Sequence, residues 1–307
     1  MKMSFLTGIG GLAIVLFVSL ASCSKPAPPA KVVITPMQTL VNSDSTLTLF
    51  HRMLLQANDA ALLADDSITW LLPTNAAFLS AGYTELIIDS LSASAADNLI
   101  RYHYLTSRVV PDSGSYLGYA SLLGYNVYGM SDSAHHIYFS GNTATGPATT
   151  VGKALVYRLN LPMTAPGDSL NVLLEGDSTL SFLSEVFLRT NLYDSLLTSG
   201  NFTLLAPNNT AFINAGYDSL GAIDSANINT LLTLVEYHVV TGSYFTNTLM
   251  GLNSLSTLQG GTVGVSVLNG ALQFKGNSNA SAANLVSGNQ MAGNTIVVQR
   301  IDQVLSP

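Results

Sequence analysis

The sequence predicts an α+β protein in which a helical segment followed by a β-rich segment occurs twice. Three observations point there. The stretch Ile68-Thr-Trp-Leu-Leu-Pro-Thr-Asn-Ala-Ala-Phe-Leu-Ser-Ala-Gly-Tyr83 returns 134 positions later as Phe202-Thr-Leu-Leu-Ala-Pro-Asn-Asn-Thr-Ala-Phe-Ile-Asn-Ala-Gly-Tyr217. Asp44-Ser-Thr-Leu47 recurs as Asp177-Ser-Thr-Leu180, and Arg101-Tyr-His-Tyr104 as Glu236-Tyr-His-Val239, in the same order at offsets of 133 and 135. Within each copy the apolar spacing changes from helical to alternating. A period this long marks a duplicated domain rather than a solenoid, whose units run about 20–50 residues.

In the first copy, Asp44 or Ser45 can N-cap a helix carrying Leu47, Phe50 and Leu54 on one face. Thr74-Asn75, after Pro73, reads as the next helix start, with Phe78 as its inward anchor. Leu99, Tyr102 and His103 share a helical face, as do Leu231, Val235 and His238 in the second copy. The β signal is clearest late in that copy, where Val263, Val265 and Val267 alternate with polar or small residues to give one apolar face. Asn269-Gly270 then turns the chain and Leu272 and Phe274 alternate back. Residues 295–301 read as a last, more buried strand. The first copy offers a rougher counterpart in Ile137-Tyr-Phe139, a turn through Asn142, and Ala154-Leu-Val-Tyr-Arg-Leu159.

The N-terminus carries a different signal. Lys2 precedes an apolar run from Phe5 to Leu20, followed by Ala-Ser-Cys23, the chain's single cysteine. A basic start, an apolar stretch and small residues describe an export signal over 1–22. The small residue before Cys23 resembles a lipoprotein box, in which the thiol is acylated and becomes the first mature residue. An uncleaved membrane anchor and ordinary signal cleavage are the alternatives. Residues 23–32 form a Pro-rich linker, favouring an extended spacer. The first domain is placed at 33–165 and the second at 168–307. With no cysteine left for a disulfide, both must be held by their cores.

Hydrophobic residues make up 48% of the chain and charged ones only 9%, with a net charge of −7. No basic stripe exists for phosphate contacts, so nucleic acid is not expected as a partner. Sparse charge leaves little repulsion between molecules and permits self-association.

These residues resemble the fasciclin (FAS1) domain. Its strand-to-helix signature is matched by Thr69-Trp-Leu-Leu-Pro-Thr-Asn-Ala-Ala-Phe78 and Thr203-Leu-Leu-Ala-Pro-Asn-Asn-Thr-Ala-Phe212. Its Tyr-His signature is matched by Tyr237-His-Val-Val-Thr-Gly242 and less well by Tyr102-His-Tyr-Leu-Thr-Ser107. Its closing strand resembles Asn294 to Pro307, whereas the first copy keeps only Ala154 to Leu159 and reads as degraded there. The resemblance implies tandem domains, each a β-sandwich or wedge decorated by helices, used in adhesion and surface binding rather than catalysis. It also implicates Tyr102, His103, Tyr237 and His238 in partner contact, against the alternative that they close the core. Ser107 stands where the second copy has Gly242. A helix exit at positive φ suits Gly and would strain Ser, so the first copy must leave its helix differently or hold that strain.

No catalytic constellation accompanies the repeat. The five histidines form no metal-binding helical pair, no Gly-x-Ser-x-Gly elbow or phosphate loop occurs, and no enzyme, metal or cofactor is expected. His135 and His136, if on a strand, point to opposite faces. Asp65-Asp66 reads as a solvated loop. Of fourteen Asp residues, nine are followed by Ser and then Thr or an aliphatic residue. Asp-Ser is a natural cap and turn pair, but the pattern also resembles the O-glycosylation sequon of Bacteroidetes-type exported proteins. That would place glycans on Ser45, Ser67, Ser90, Ser133, Ser169, Ser178, Ser195, Ser219 and Ser225.

The expected function is that of a lipid-anchored cell-envelope protein, at the outer membrane on its periplasmic or surface face. It would act through an envelope or extracellular protein or a second copy of itself, touching the membrane only by its anchor. The alternative is a glycan-binding module for polysaccharide capture, in which Tyr116, Tyr119, Tyr125 and Tyr128 supply a stacking face or else serve as core and strand residues.

Overall fold

Thr35 begins the first helix with a reciprocal cap: its hydroxyl accepts from the Gln38 amide, and the Gln38 side chain accepts from the Thr35 amide. The computed structural model describes residues 34–64, 68–167, 169–197 and 200–307. In the N-terminal half the helices are α1 (Pro36–Ser43), α2 (Thr48–Ala57), α3 (Asn75–Ser80), α4 (Glu85–Ser90) and α5 (Ala93–Tyr102), and the strands are β1 (Thr69–Pro73), β2 (Tyr104–Leu105), β3 (Leu117–Ala120), β4 (Asn126–Ser131), β5 (Ile137–Phe139), β6 (Asn142–Thr143), β7 (Thr149–Val151) and β8 (Ala154–Leu159). In the C-terminal half, α6 (Leu170–Glu175), α7 (Ser181–Thr190), α8 (Leu192–Leu197), α9 (Asn209–Asn214), α10 (Leu220–Ser225), α11 (Ile228–His238) and α12 (Thr246–Leu249) accompany β9 (Phe202–Pro207), β10 (Val239–Thr241), β11 (Ser254–Ser256), β12 (Thr262–Leu268), β13 (Ala271–Lys275), β14 (Ala283–Ala292) and β15 (Ile296–Ile301). The mixed α+β class is therefore observed, with β1 and β9 set among the helices and most other strands following them in each half.

A parallel strand pair organises each half. β1 runs beside β8 and β9 beside β15, although other strand pairings within the sheets are antiparallel. Alternation along these strands separates two cores. Trp70 and Leu72 join Ala154 and Val156 against α2 and α5, whereas Leu71 faces Leu155, Tyr157 and Phe139 on the other side. In the second half Phe202, Leu204 and Val298 face the helices, whereas Leu205 and Ile301 face Val263, Leu272 and Phe274.

The halves differ in how their strands close. The N-terminal half has two four-stranded sheets, ordered β2-β1-β8-β7 and β3-β4-β5-β6, which share the core holding Leu71, Phe139 and Tyr157. The C-terminal half has a single seven-stranded sheet, because β14 pairs with β13 through Ala283 and Asn284 and with β15 through the rest of its length. The strand that looked degraded in the sequence is intact: β8 has the six-residue length of β15 and pairs in parallel with β1 as β15 does with β9. Its pattern differs because Tyr157 packs edge-to-face on Phe139, 4.9 Å between ring centroids.

Two local expectations need correction. Asp44 caps a single 3₁₀ turn, Ser45–Leu47, before α2 begins. Val267 is exposed near the turn of the β12–β13 hairpin, although its cross-strand partner Leu272 is buried, as are Val263 and Val265. The hairpin turn is as expected, with Asn269 at φ 51° and Gly270 at φ 82°. Residues 34–307 pack as one unit. Among the described residues, no helix is long and apolar enough to cross a membrane.

Candidate functional site

The residues repeated between the halves are joined to one another by hydrogen bonds. At the end of α5 the Nδ1–H of His103 donates to the Leu99 carbonyl and its Nε2 accepts from the Met163 amide, each at 2.8 Å. His238 repeats this with Leu234 and Leu305, again at 2.8 Å. Both imidazoles are fully buried, and burial pushes each down to about 4, so the neutral ring ties the helix end to the chain leaving the closing strand. Tyr102 and Tyr237 are equally buried, donating to the carbonyls of Asn126 and Thr262. Burial pushes the Tyr102 hydroxyl up to about 12. None of these four residues presents a surface, so the partner-contact role is corrected: they close the core.

The Asp-Ser-Thr and Pro-x-Asn motifs form a second staple. Asp44 accepts from the Thr46 amide and hydroxyl and pairs with Arg158 Nη2 at 2.5 Å; the Thr46 hydroxyl, then the Thr46 amide and Arg158, hold its carboxyl below the ordinary range against desolvation. Asp177 repeats this with Thr179 and Arg300. Asn75 accepts from the Leu49 amide at 2.9 Å and donates to the Ser45 carbonyl and Thr48 hydroxyl, as Asn209 does with Phe182, Ser178 and Ser181. The threonine opening each central strand forms a third. Thr69 donates to the Ser107 carbonyl and accepts from the Val109 amide, and Thr203 does the same with Gly242 and Tyr244. Gly242 sits at φ 104°, but Ser107 is not at positive φ, so the first half leaves its helix differently and carries no such strain.

The tyrosine-rich stretch does not make one exposed face. Tyr119 and Tyr125 pack against the sandwich core of the N-terminal half. Tyr116 and Tyr128 turn instead to the C-terminal half, their ring centroids 4.7 and 6.1 Å from that of Phe245, in a cluster with Met291 and Val297. Polar bonds line this seam. The Tyr116 hydroxyl donates to Asn247 Oδ1 at 2.6 Å, the Tyr128 hydroxyl donates to the Asn294 carbonyl, and the Asn126 amide donates to Asn294 Oδ1 at 2.7 Å. The connecting segment adds a bridge between Gly167 and Ala292. Phe245 is held in turn by buried Gln299, which donates to the Tyr244 carbonyl, and by Asn289, which accepts from the Thr246 amide. No local pattern marks Phe245, Asn247, Asn289 or Asn294, because their partners lie far along the chain.

Beside the seam is a cleft of about 360 Å³ lined by both halves, including Ser115, Tyr116, Asn201, Ser243, Tyr244 and Thr248. Among the described residues, no charged side chain lines it.

Other candidate residues are scattered. Ser45, Ser90, Ser133, Ser178, Ser219 and Ser225 are exposed and Ser169 is half-buried. Ser219 caps α10, and the Ser90 and Ser225 hydroxyls donate to carbonyls within their own helices. Ser195 lies in α8, whereas Cys23, Asp65, Asp66 and Ser67 lie outside the described residues. His135 and His136 are in a turn rather than a strand. His135 is at φ 65°, and His136 bonds Asp132 through Nδ1 at 2.8 Å. Among the described residues no group of three or more His, Cys, Asp or Glu side chains is placed to hold a metal.

A family profile for the fasciclin domain matches residues 178–307. Human periostin is 25% identical over 153 residues, a match covering 50% of this chain and 18% of periostin. The pig transforming growth factor-beta-induced protein ig-h3 is 24% identical over 250 residues, covering 78% of this chain and 35% of that protein. The chain thus spans well under half the length of these relatives. Among solved structures, a FAS1 domain pair from the insect cell adhesion molecule fasciclin I matches 85% of this chain and 97% of that one, at 14% identity and a TM-score of 0.42. A fasciclin domain is present in this chain.

Proposed function

We propose that the chain is a bacterial, Bacteroidetes-type lipoprotein of two tandem FAS1 domains, 33–165 and 168–307, anchored to the cell envelope through Cys23. In this reading it acts without catalysis, as an adhesion or interaction protein at the outer membrane, through contacts with another envelope or extracellular protein or with a second copy of itself. The observation that carries the reading is the use made of the shared residues. The His, Tyr, Asp and Asn side chains common to both copies are engaged in internal staples, which leaves their chemistry structural. The fasciclin domain at 178–307 supports an adhesion role.

The surface supports homotypic contact. Leu55, Leu79 and Leu86 are exposed on the helices of the first half; Leu188 and Ile213 are exposed at the repeat-related positions of the second, and Leu220 is exposed at the start of α10. Charge is too sparse to oppose the approach of another copy. Two measurements test the reading. Mass spectrometry of the mature N-terminus should find an acylated Cys23, and an unmodified Cys23 would sink the anchor. Sedimentation of the full chain should show concentration-dependent association that weakens in a Leu86→Ser/Leu220→Ser variant; a chain that stays monomeric and binds no envelope protein would remove the interaction reading.

A further inference from the structure

The cleft beside the seam holds an anomaly that the staples do not explain. Ser243 Oγ and Asn247 Nδ2 are buried side-chain atoms without a hydrogen-bond partner. The Tyr128 hydroxyl lies near Ser243 but donates its proton to the Asn294 carbonyl and makes no hydrogen bond of good geometry with Ser243 Oγ, and Asn247 uses only its Oδ1, accepting from Tyr116. Buried polar groups are ordinarily satisfied, and each orphan leaves a desolvation penalty uncompensated. Ser243 lines the cleft, and Asn247 is bonded to Tyr116, which also lines it. The Tyr116 ring packs on Phe245 on the seam side, and Tyr244 lines the cleft from the opposite half of the chain.

From this arrangement we infer that the cleft is a binding site for a neutral saccharide of one or two rings, with Tyr116 and Tyr244 as its aromatic walls and Ser243, Asn247 and Asn201 as its polar contacts. The volume of about 360 Å³ is at the small end of ligand clefts, which run roughly 300–1,000 Å³. Sugar hydroxyls both donate and accept, which suits an unpaired hydroxyl and an unpaired amide N–H. Apolar sugar faces stack on aromatic rings, and an uncharged lining in a chain of net charge −7 disfavours uronates and sulfated sugars. A proline-rich peptide also packs on tyrosines and brings carbonyls that accept from both groups, so it is the comparator that the test must separate from a sugar.

The site goes beyond the adhesion reading and stands or falls separately, because its test does not involve association between chains. Saturation-transfer NMR on the full chain is run with cellobiose, maltose, lactose and chitobiose, then with a glucuronate-containing disaccharide and a proline-rich peptide. At least one neutral disaccharide should receive transfer from the protein, and the two comparators should not. Ser243→Ala should weaken that binding about tenfold, the effect of one well-made polar contact, while the unliganded unfolding midpoint holds or rises because an unpaired buried hydroxyl has been removed. Asn201→Ala, at an exposed side chain whose Oδ1 accepts only a long 3.4 Å bond from the Tyr128 hydroxyl, should weaken binding with little effect on folding. The inference is overturned if no neutral disaccharide binds, if the acidic sugar or the peptide binds instead, or if both variants keep wild-type affinity.

Discussion

Lowering the pH from 7 to 4 should remove on the order of 3 kcal/mol of stability through each of His103 and His238. Burial, opposed only by the weaker pull of the Leu99 and Leu234 carbonyls, holds both imidazoles at about 4 against an ordinary 6.5. In the unfolded chain each ring takes up a proton as the pH falls below 6.5, while the folded ring stays neutral until about 4. The unfolded state therefore binds more protons across that window. The contribution is fully present above 6.5 and is lost as the pH falls toward 4. Protonating Nε2 would also turn its new N–H against the Met163 or Leu305 amide that it now accepts from. The stapled carboxylates Asp44 and Asp177 are held low as well, but their loss comes mainly below the ordinary carboxylate value of 3.8. Urea unfolding at a series of pH values from 7.5 to 4.5 isolates the histidines. Trp70, the single tryptophan, reports the first half by fluorescence, while circular dichroism reports both. The slope should approach about 1.4 kcal/mol per pH unit per histidine in mid-window. A His103→Gln/His238→Gln variant, which keeps one donor and one acceptor at each site, should flatten it. Stability that does not change between pH 7 and 4.5, or an unchanged slope in the double variant, refutes the reasoning.

Truncating Asn75 or Asn209 to Ala removes three hydrogen bonds and leaves a helix-start amide, Leu49 or Phe182, without its acceptor; each should cost about 2–3 kcal/mol in urea unfolding, alike in the two halves. Gly242→Ala should destabilise by about 1–3 kcal/mol, since φ is 104° and the new methyl would stand 3.0 Å from the Tyr244 ring, whereas Ser107→Gly should bring no stabilisation by relief of strain. Phe245→Ala empties the seam between Tyr116 and Tyr128 at a cost of about 3–5 kcal/mol and should separate the calorimetric unfolding of the two halves; a single transition at the wild-type midpoint would show that the seam does not couple them.

What the sequence revealed was local or repeated. Asn269-Gly270 could be read as a hairpin because both turn residues must reach positive φ. The structural alternative for His103 and His238 was visible because each stands on the apolar face of its helix. The β8 strand was harder to see, since its partner β1 lies far away in sequence and its inward positions hold Leu155 and Tyr157 in place of the Val-rich pattern of β15. The seam was not visible at all. Tyr116 and Asn247 are separated by 131 positions and Asn126 and Asn294 by 168, and no periodicity along a chain encodes a pairing between one half and the other.

The tyrosines show how the duplicated copies diverge. A tyrosine-rich strand in only one of two repeats suggests a partner surface, and Tyr116 and Tyr128 do meet a partner, which is the other half of the same chain. Phe245 and Asn294 are the complementary specialisations on that half. The staples are shared because each copy must fold. The seam residues are unshared because each side must fit a different neighbour. Residues of neither kind, such as Ser243 with its unpaired hydroxyl, are left unexplained by folding or by docking of the halves. Substitutions in the staples will report stability whatever the chain binds. Only substitutions among the unshared residues around the cleft, or on the exposed helix faces, can separate recognition from folding.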